Sequence, residues 1–229
     1  MSKTPVAAEP TRKASRWMRR LRGLYAITPD IVDIALLVAK VDAAIAGGAQ
    51  VIQYRNKSAA PALRRKQAAM LSRLCDGGGA LFIVNDDVAL AREVGAAGVH
   101  LGEDDGDVGR ARAAGGEAML IGVSCYNDLS RAKRLVGEGA DYVAFGSFHS
   151  SLTKPGARRA EPALLRRAKR LGVPVVAIGG ITAGNGRALV EAGADALAVI
   201  SDVFAHDDVA EITHAAAAIA ACFEPDATT

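Results

Sequence analysis

Aromatic side chains make up only 4% of this 229-residue chain. A stacking platform for single-stranded nucleic acid needs aromatic faces, so that class of partner is disfavoured. Cysteine is scarcer still, with Cys75, Cys125 and Cys222 alone. Their odd number and wide spacing argue against a disulfide framework and against a metal clip. A reducing compartment follows as the simplest setting, and the cytoplasm is the expected location. No stretch approaches the roughly 18 consecutive apolar residues of a membrane span, so no membrane association is expected. The basic N-terminus is not followed by a continuous apolar run, which excludes a secretory signal. The first strand-to-helix turn has no glycine-rich dinucleotide fingerprint, which weighs against an open, doubly wound sheet.

Apolar residues are plentiful. They form 50% of the chain against 23% charged, enough to bury a large core and to exclude disorder throughout. The length is generous for one ordinary domain and short for two, and it suits a single closed α/β barrel. The formal net charge of +3 hides an uneven distribution. Residues 1–22 carry seven basic groups (Lys3, Arg12, Lys13, Arg16, Arg19, Arg20 and Arg22) against Glu9, so the rest of the chain is about −3. The body is therefore no polyanion binder. The extension reads as a frayed segment or as an extra helix over one end of the body, with an organellar address or a nucleic-acid arm as lesser alternatives.

One unit recurs along the chain. A helix-like stretch ends in glycine, and an apolar run begins within a few residues. This occurs at Gly48 (AGGAQVIQY), Gly79 (GGGALFIVN), Gly98 (AAGVHLG), Gly116 (AGGEAMLIGVS), Gly139 (GEGADYVAFG), Gly172 (LGVPVVAIGG) and Gly193 (EAGADALAVIS). Gly23 opens GLYAIT, so eight strands are expected. Glycine stops a helix because it accepts positive φ without a Cβ clash. The runs are apolar on both sides of the alternation, as strands covered on both faces must be. Between them, DIALLVAKVDAAIA, ALRRKQAAMLSRL, NDLSRAKRLVGEG and PALLRRAKRL repeat apolar residues every three or four positions. Strand then helix, eight times, predicts a single (β/α)8 barrel over residues 23–222, with the extension before it and a short tail at 223–229.

Chemistry in such a barrel gathers at the C-terminal ends of the strands. There the sequence places Thr28, Pro29 and Asp30; Gln53, Arg55 and Lys57; Asn85, Asp86 and Asp87; His100, Glu103, Asp104 and Asp105; Ser124 and Tyr126; the loop from His149 to Lys154; Gly179 and Gly180; and Ser201 and Asp202. The opposite ends carry mostly Gly, Ala and Pro. Gln53, Arg55 and Lys57, if they alternate along a strand, point one way and call for an anion to pair with them. Asp87 reads as the N-cap of the next helix. Asp86 and Asp105 on adjacent strands suggest a shared Mg²⁺, which takes one or two carboxylates and completes its shell with water and phosphate oxygens. Glu103 and Asp104 compete for the second position. Gly179-Gly180 and Ile200-Ser201 match the phosphate site that many barrels build after strands seven and eight, although a glycine pair also serves a tight turn. His100 reads as a satisfied rim or core residue rather than a base, His149 has no assigned role, and His206 and His214 lie on the surface. Cys125 has no cationic pattern around it that would mark it as reactive.

Together these segments resemble the thiamine-phosphate synthase family. The matching stretches are GLYAITPD, QYRNK, FIVNDD, GVHLGEDD, GVSCYN, FGSFHSSLTKP, VVAIGGIT and ALAVISDVF, in that order over residues 23 to 204, one for each strand. The resemblance implies a (β/α)8 barrel that joins a hydroxymethylpyrimidine pyrophosphate to a thiazole phosphate and releases pyrophosphate. It implies that Gln53, Arg55, Lys57, Asn85, Ser124 and Lys154 contact the pyrimidine pyrophosphate, with Arg55, Ser124 and Lys154 as catalytic groups. Asp86 and Asp105 would hold Mg²⁺, and Ser151, Thr153, Gly180, Ile200 and Ser201 would contact the thiazole phosphate. Three positions depart from the usual pattern: Glu103 where Gln is common, Ser151 where Thr is usual, and Tyr126 where His is frequent. The formal charge of the implied site, near +3 from Arg55, Lys57, Lys154, Mg²⁺, Asp86 and Asp105, suits a pyrophosphate ester of about three negative charges. Small phosphorylated molecules are thus the expected partners, without nucleic acid or membrane, and a homo-oligomer stays open. Two rival readings remain: a thiazole tautomerase on the same barrel, and a non-catalytic sensor of a phosphorylated ligand.

Overall fold

The structure, a computed structural model, describes residues 17, 19–102, 107–150 and 159–225. Eight strands close into a barrel in sequence order: β1 (Gly23–Ile27), β2 (Ala49–Tyr54), β3 (Leu81–Asn85), β4 (Gly98–Leu101), β5 (Leu120–Tyr126), β6 (Tyr142–Phe145), β7 (Val175–Ile178) and β8 (Ala196–Val199). Every neighbouring pair is parallel, and β8 pairs with β1 to complete the ring. The open sheet is thereby excluded and the barrel expected from the sequence is found.

Between the strands run α1 (Ile34–Ala46), α2 (Pro61–Gly78), α3 (Val88–Glu93), α4 (Val108–Gly115), α5 (Leu129–Gly137), α6 (Ala163–Ala168) and α7 (Ala183–Glu191). A short α8 (Ser201–Phe204) and α9 (Val209–Ala220) follow β8. Aspartate starts many of these helices. Asp33, Asp87, Asp107, Asp128 and Asp208 each accept a backbone N–H of the first turn, which the helix would otherwise leave unpaired. The expectation for Asp87 is met by its bond from Leu90 N at 2.9 Å. Gly79 and Gly172 close their helical segments at φ +74, where a side chain would be strained.

Two apolar clusters result. The larger lies between the sheet and the helices and includes Leu24, Val41, Ile52, Leu71, Val99, Val143, Leu165, Leu197 and Ile212. The smaller fills the barrel itself with Tyr25, Ile27, Val51, Leu81, Ile83, Leu120, Tyr142, Ala144, Val176, Ala196 and Ala198. Alternation along each strand sorts the two sets. The basic extension contributes to the second cluster through its last turn. Trp17, Arg19 and Arg20 are helical, Leu21 is buried in the interior cluster, and Trp17 packs against it. The N-terminal end of the interior is closed in this way, and Arg20 lies 5.1 Å from the Trp17 ring centroid.

Strand β2 stops at Tyr54, short of Arg55 and Lys57. The alternation expected over Gln53, Arg55 and Lys57 therefore does not extend past Gln53. The cause is Thr28, whose hydroxyl accepts from Arg55 N at 2.9 Å and donates to Arg55 O at 3.0 Å. One side chain takes up both backbone groups that a longer ladder would have used.

Tyr142 sets the tightest packing in the interior. A Cβ added at Gly122 would lie 1.9 Å from Tyr142 Cζ. Gly122→Ala should therefore cost about 1–3 kcal/mol or more by overpacking, seen as a melting temperature lower by about 2–10 °C. Gly77, near the end of α2, faces open space. Gly77→Ala should be neutral or stabilising by up to about 1 kcal/mol, since alanine is the better helix former. Equal destabilisation by both changes would show that Tyr142 does not set the limit. All three cysteines are buried, and burial pushes the thiols of Cys75 and Cys125 up to about 12 and raises that of Cys222. Thiolate is scarce at pH 8 for all three, so a maleimide probe should label none in the folded chain and all after denaturation.

Candidate active site

The C-terminal ends of the strands meet at one mouth. Gln53, the last inward residue of β2, is buried and donates from Nε2 to Asn85 Oδ1 of β3 at 2.7 Å. Asn85 is registered against His100 on β4, and His100 against Gly122 on β5. Ser124 stands two residues further along β5, and its Oγ lies 2.9 Å from His100 Nε2. A ring of amides, imidazole and hydroxyl, hydrogen-bonded in two pairs, thus lies directly above the apolar interior.

Charged groups surround this ring. Arg55 reaches Asp30 at 3.4 Å, and the Asp30 carboxylate also accepts from Lys57 N at 3.3 Å. Lys57 Nζ lies 3.5 Å from Asp86 Oδ2. The two loops that carry these residues are tied by Gln67, a fully buried side chain of α2. Gln67 donates to Ile31 O at 2.7 Å and accepts from Tyr54 Oη at 2.8 Å and Asn56 Nδ2 at 3.1 Å. An unpaired amide at that depth would be costly, so the network fixes both loops together.

Asp86 has a left-handed backbone at φ +65. Such a conformation in a residue other than glycine is sparsely populated and persists when its surroundings hold it. Here Asp86 N donates to His100 O at 2.8 Å and Asp87 N to Asn85 O at 2.8 Å. Tyr126, at φ +54, follows the irregular step between Ser124 and Tyr126 in β5. Arg131 of α5 donates from Nε to Ser124 O at 3.0 Å and supports that step.

A second group lies at the ends of β7 and β8, which are neighbours in the barrel. Gly179 and Gly180 have φ of +104 and +61. A Cβ at Gly179 would meet Ser147 Oγ at 2.2 Å, and one at Gly180 would meet Ser150 O at 2.3 Å. The glycine pair is thus required by its own conformation and by the close approach of the loop after β6. The backbone N–H groups of Gly180 and Ser201 donate to no backbone carbonyl among the described residues. Ser201 begins α8, with Ile200 before it. Lys40, buried in α1, donates to the carbonyls of Phe204 at 3.2 Å and of His206, and so anchors the far end of that turn.

Gln53, Arg55, Lys57, Asn85, Asp86 and Ser124 are therefore brought to one mouth, with Gly180, Ile200 and Ser201 at the ends of the two closing strands. No hydrogen bond or ion pair joins the two groups among the described residues. Asp105 and Glu103, and Ser151, Thr153 and Lys154, lie outside the described residues. Among the described residues no group of three or more His, Cys, Asp or Glu side chains could hold a metal ion, and no helix is long and apolar enough to cross a membrane. His100 is satisfied, as expected. Three supporting side chains had no role in the sequence reading: Tyr25, Tyr142 and Gln67. The signal for the first two was present, since a tyrosine within a strand buried on both faces needs a partner for its hydroxyl.

Comparison with known proteins accords with this geometry. Residues 24–203 match the family described as Thiamine monophosphate synthase. The chain is 53% identical over 198 residues to the thiamine-phosphate synthase of Chromobacterium violaceum, covering 86% of this chain and 96% of that protein. It is 55% identical over 190 residues to the thiamine-phosphate synthase of Azoarcus sp., covering 82% and 92%. Among solved structures, the thiamine phosphate pyrophosphorylase of Pyrococcus furiosus superposes with a TM-score of 0.78 at 33% identity, covering 90% of this chain and 96% of that one. With a barrel complete from β1 to β8 and relatives matched over nearly their whole length, the chain belongs to the thiamine monophosphate synthase family.

Proposed function

We propose that this chain condenses a hydroxymethylpyrimidine pyrophosphate with a thiazole phosphate, giving thiamine phosphate and pyrophosphate. The observation that carries the proposal is the meeting of Gln53, Arg55, Lys57, Asn85, Asp86 and Ser124 at one end of a barrel of this family. The amide pair of Gln53 and Asn85 offers donors and acceptors to a flat heterocycle. Arg55 and Lys57 bring positive charge to an exposed rim, where a pyrophosphate would find it. The N–H groups of Gly180 and Ser201, which donate to no backbone carbonyl among the described residues, suit the smaller phosphate of the second substrate. Two anchors hold two reactants in one mouth and turn a bimolecular step into an effectively unimolecular one.

The donor chemistry at Asp86 fits Mg²⁺. Its carboxylate is a hard oxygen donor, held by a strained backbone beside the cation of Lys57. Asp86, with Asp105, would hold the ion, and substrate oxygens and water would fill the remaining positions. When bound, Mg²⁺ neutralises charge on the pyrophosphate oxygens. Arg55, Lys57 and Lys154 act on the same leaving group through fixed positive charge, so no general acid is needed.

The order of bond changes that suits this site is dissociative. The C–O bond breaks first, and pyrophosphate leaves with the electron pair. The pyrimidine cation that remains is stabilised by its electron-rich ring. The thiazole nitrogen then donates its lone pair to the same carbon, and the new C–N bond completes the product. No proton changes hands, in keeping with a mouth whose only imidazole among the central ring, His100, is engaged on both nitrogens.

Incubation with both substrates and Mg²⁺ should release pyrophosphate and thiamine phosphate in equal amounts, and EDTA should abolish both until Mg²⁺ is restored. A proton shift on the thiazole that is indifferent to EDTA would identify a tautomerase instead, and binding without turnover would identify a sensor. An electron-withdrawing substituent on the pyrimidine should slow single-turnover chemistry by orders of magnitude, and an unchanged rate would overturn the dissociative order.

A further inference from the structure

Below the mouth a chain of hydroxyls and imidazole crosses the barrel. Tyr25 Oη and Tyr142 Oη are 2.9 Å apart. Tyr142 Oη is 3.1 Å from His100 Nδ1, and His100 Nε2 is 2.9 Å from Ser124 Oγ. The two phenol rings are tilted at 52°, and both are essentially without solvent exposure. We propose that these contacts form a one-way hydrogen-bond chain, from Tyr25 through Tyr142 and His100 to Ser124, that holds His100 as its Nε2–H tautomer and turns the Ser124 hydroxyl proton outward to a bound anion.

The direction follows from counting donors and acceptors. Burial raises the ionisation of both phenols well above the ordinary range, so each keeps its proton. Among the described residues the Tyr25 hydroxyl meets only Tyr142. If Tyr142 donated to Tyr25, the Tyr25 proton would point into the apolar cluster of Ile83, Leu120 and Val176 with no acceptor. An unmade bond in such surroundings costs far more than a made one gains. Tyr25 therefore donates to Tyr142, and the single Tyr142 proton passes to His100 Nδ1. A neutral imidazole that accepts at Nδ1 carries its hydrogen on Nε2. That hydrogen goes to Ser124 Oγ. With an oxygen lone pair of Ser124 so used, and its carbonyl held by Arg131 at 3.0 Å, the serine proton has the mouth as its outlet.

The consequence rests on the function proposed above: Ser124 donates to the leaving pyrophosphate, and donates most strongly as negative charge builds on it. His100 and Tyr142 are positioning residues, since they act through Ser124. Gly122 belongs to the same device, because Tyr142 can cross the interior only where β5 lacks a side chain.

The chain direction can be tested without substrates. With ¹⁵N-labelled histidine, His100 should show an unprotonated Nδ1 and a protonated Nε2, its signals identified by their loss in His100→Gln. A protonated Nδ1 would overturn the proposal. Turnover supplies the second test. His100→Leu should lower kcat by about 10- to 100-fold, the effect of a lost hydrogen bond to a charged group, with KM for the pyrimidine pyrophosphate changed little. His100→Gln returns an amide N–H to the place of Nε2 and should recover most of that loss. Equal damage by both variants, or loss expressed in KM alone, would sink the role assigned to Ser124. An inactive parent chain with the expected imidazole signals would instead count against the proposed function and leave the chain direction standing.

Discussion

The interior of the barrel has room for few side chains, and Tyr142 takes more of that room than any strand neighbour would allow. It does so because Gly122 beside it has no Cβ. That single accommodation separates the interior into two levels. Below lie Leu81, Leu120, Val176 and the closing pair Trp17 and Leu21, wholly apolar. Above lie Gln53, Asn85, His100 and Ser124, whose polar groups must satisfy one another or a ligand. The tyrosine hydroxyl is the joint between the two levels. His100, and Ser124 through it, rest on this buried contact.

Much of the fold could be read from the chain. Glycine before each apolar run marked the eight strands, because positive φ at Gly48, Gly79, Gly116, Gly139, Gly172 and Gly193 is a local requirement. Asp87 as the cap of its helix, and the polar residues after each strand, were legible for the same reason: caps and rims are settled by neighbours in sequence. The end of β2 was not legible. Whether Arg55 continues the ladder depends on the Thr28 hydroxyl, 27 residues away in sequence, which takes both backbone groups of Arg55. The role of Gln67 was hidden likewise, since an amide on a helix looks solvated until its partners at Ile31 and Asn56 are brought in.

The site shows the same division. That Gln53, Asn85, Asp86 and Ser124 would share one mouth was carried by the repeat itself, because all four lie at or near the C-terminal ends of β2, β3 and β5. The distances within that mouth were not. A serine two positions beyond Gly122 says nothing of an imidazole 2.9 Å away. The glycine pair at 179–180 is instructive in another way. Its sequence suggested room for a phosphate, and the structure shows that a methyl group there would collide with Ser147 and Ser150. Packing alone suffices to demand glycine at both positions, so the pair by itself says nothing of an anion, and the proposed anchor rests on N–H groups instead.

The stopper formed by Trp17 and Leu21 has a consequence for traffic. Among the described residues, side chains fill the barrel and the stopper covers its lower end, so a ligand meets the interior only from the upper mouth. On the function proposed above, a heterocycle seated at the buried Gln53 would lie deeper than a partner at the exposed Ser201 and would enter before it. The later arrival would then cover the earlier one, and the product would have to leave by the same mouth before the next round.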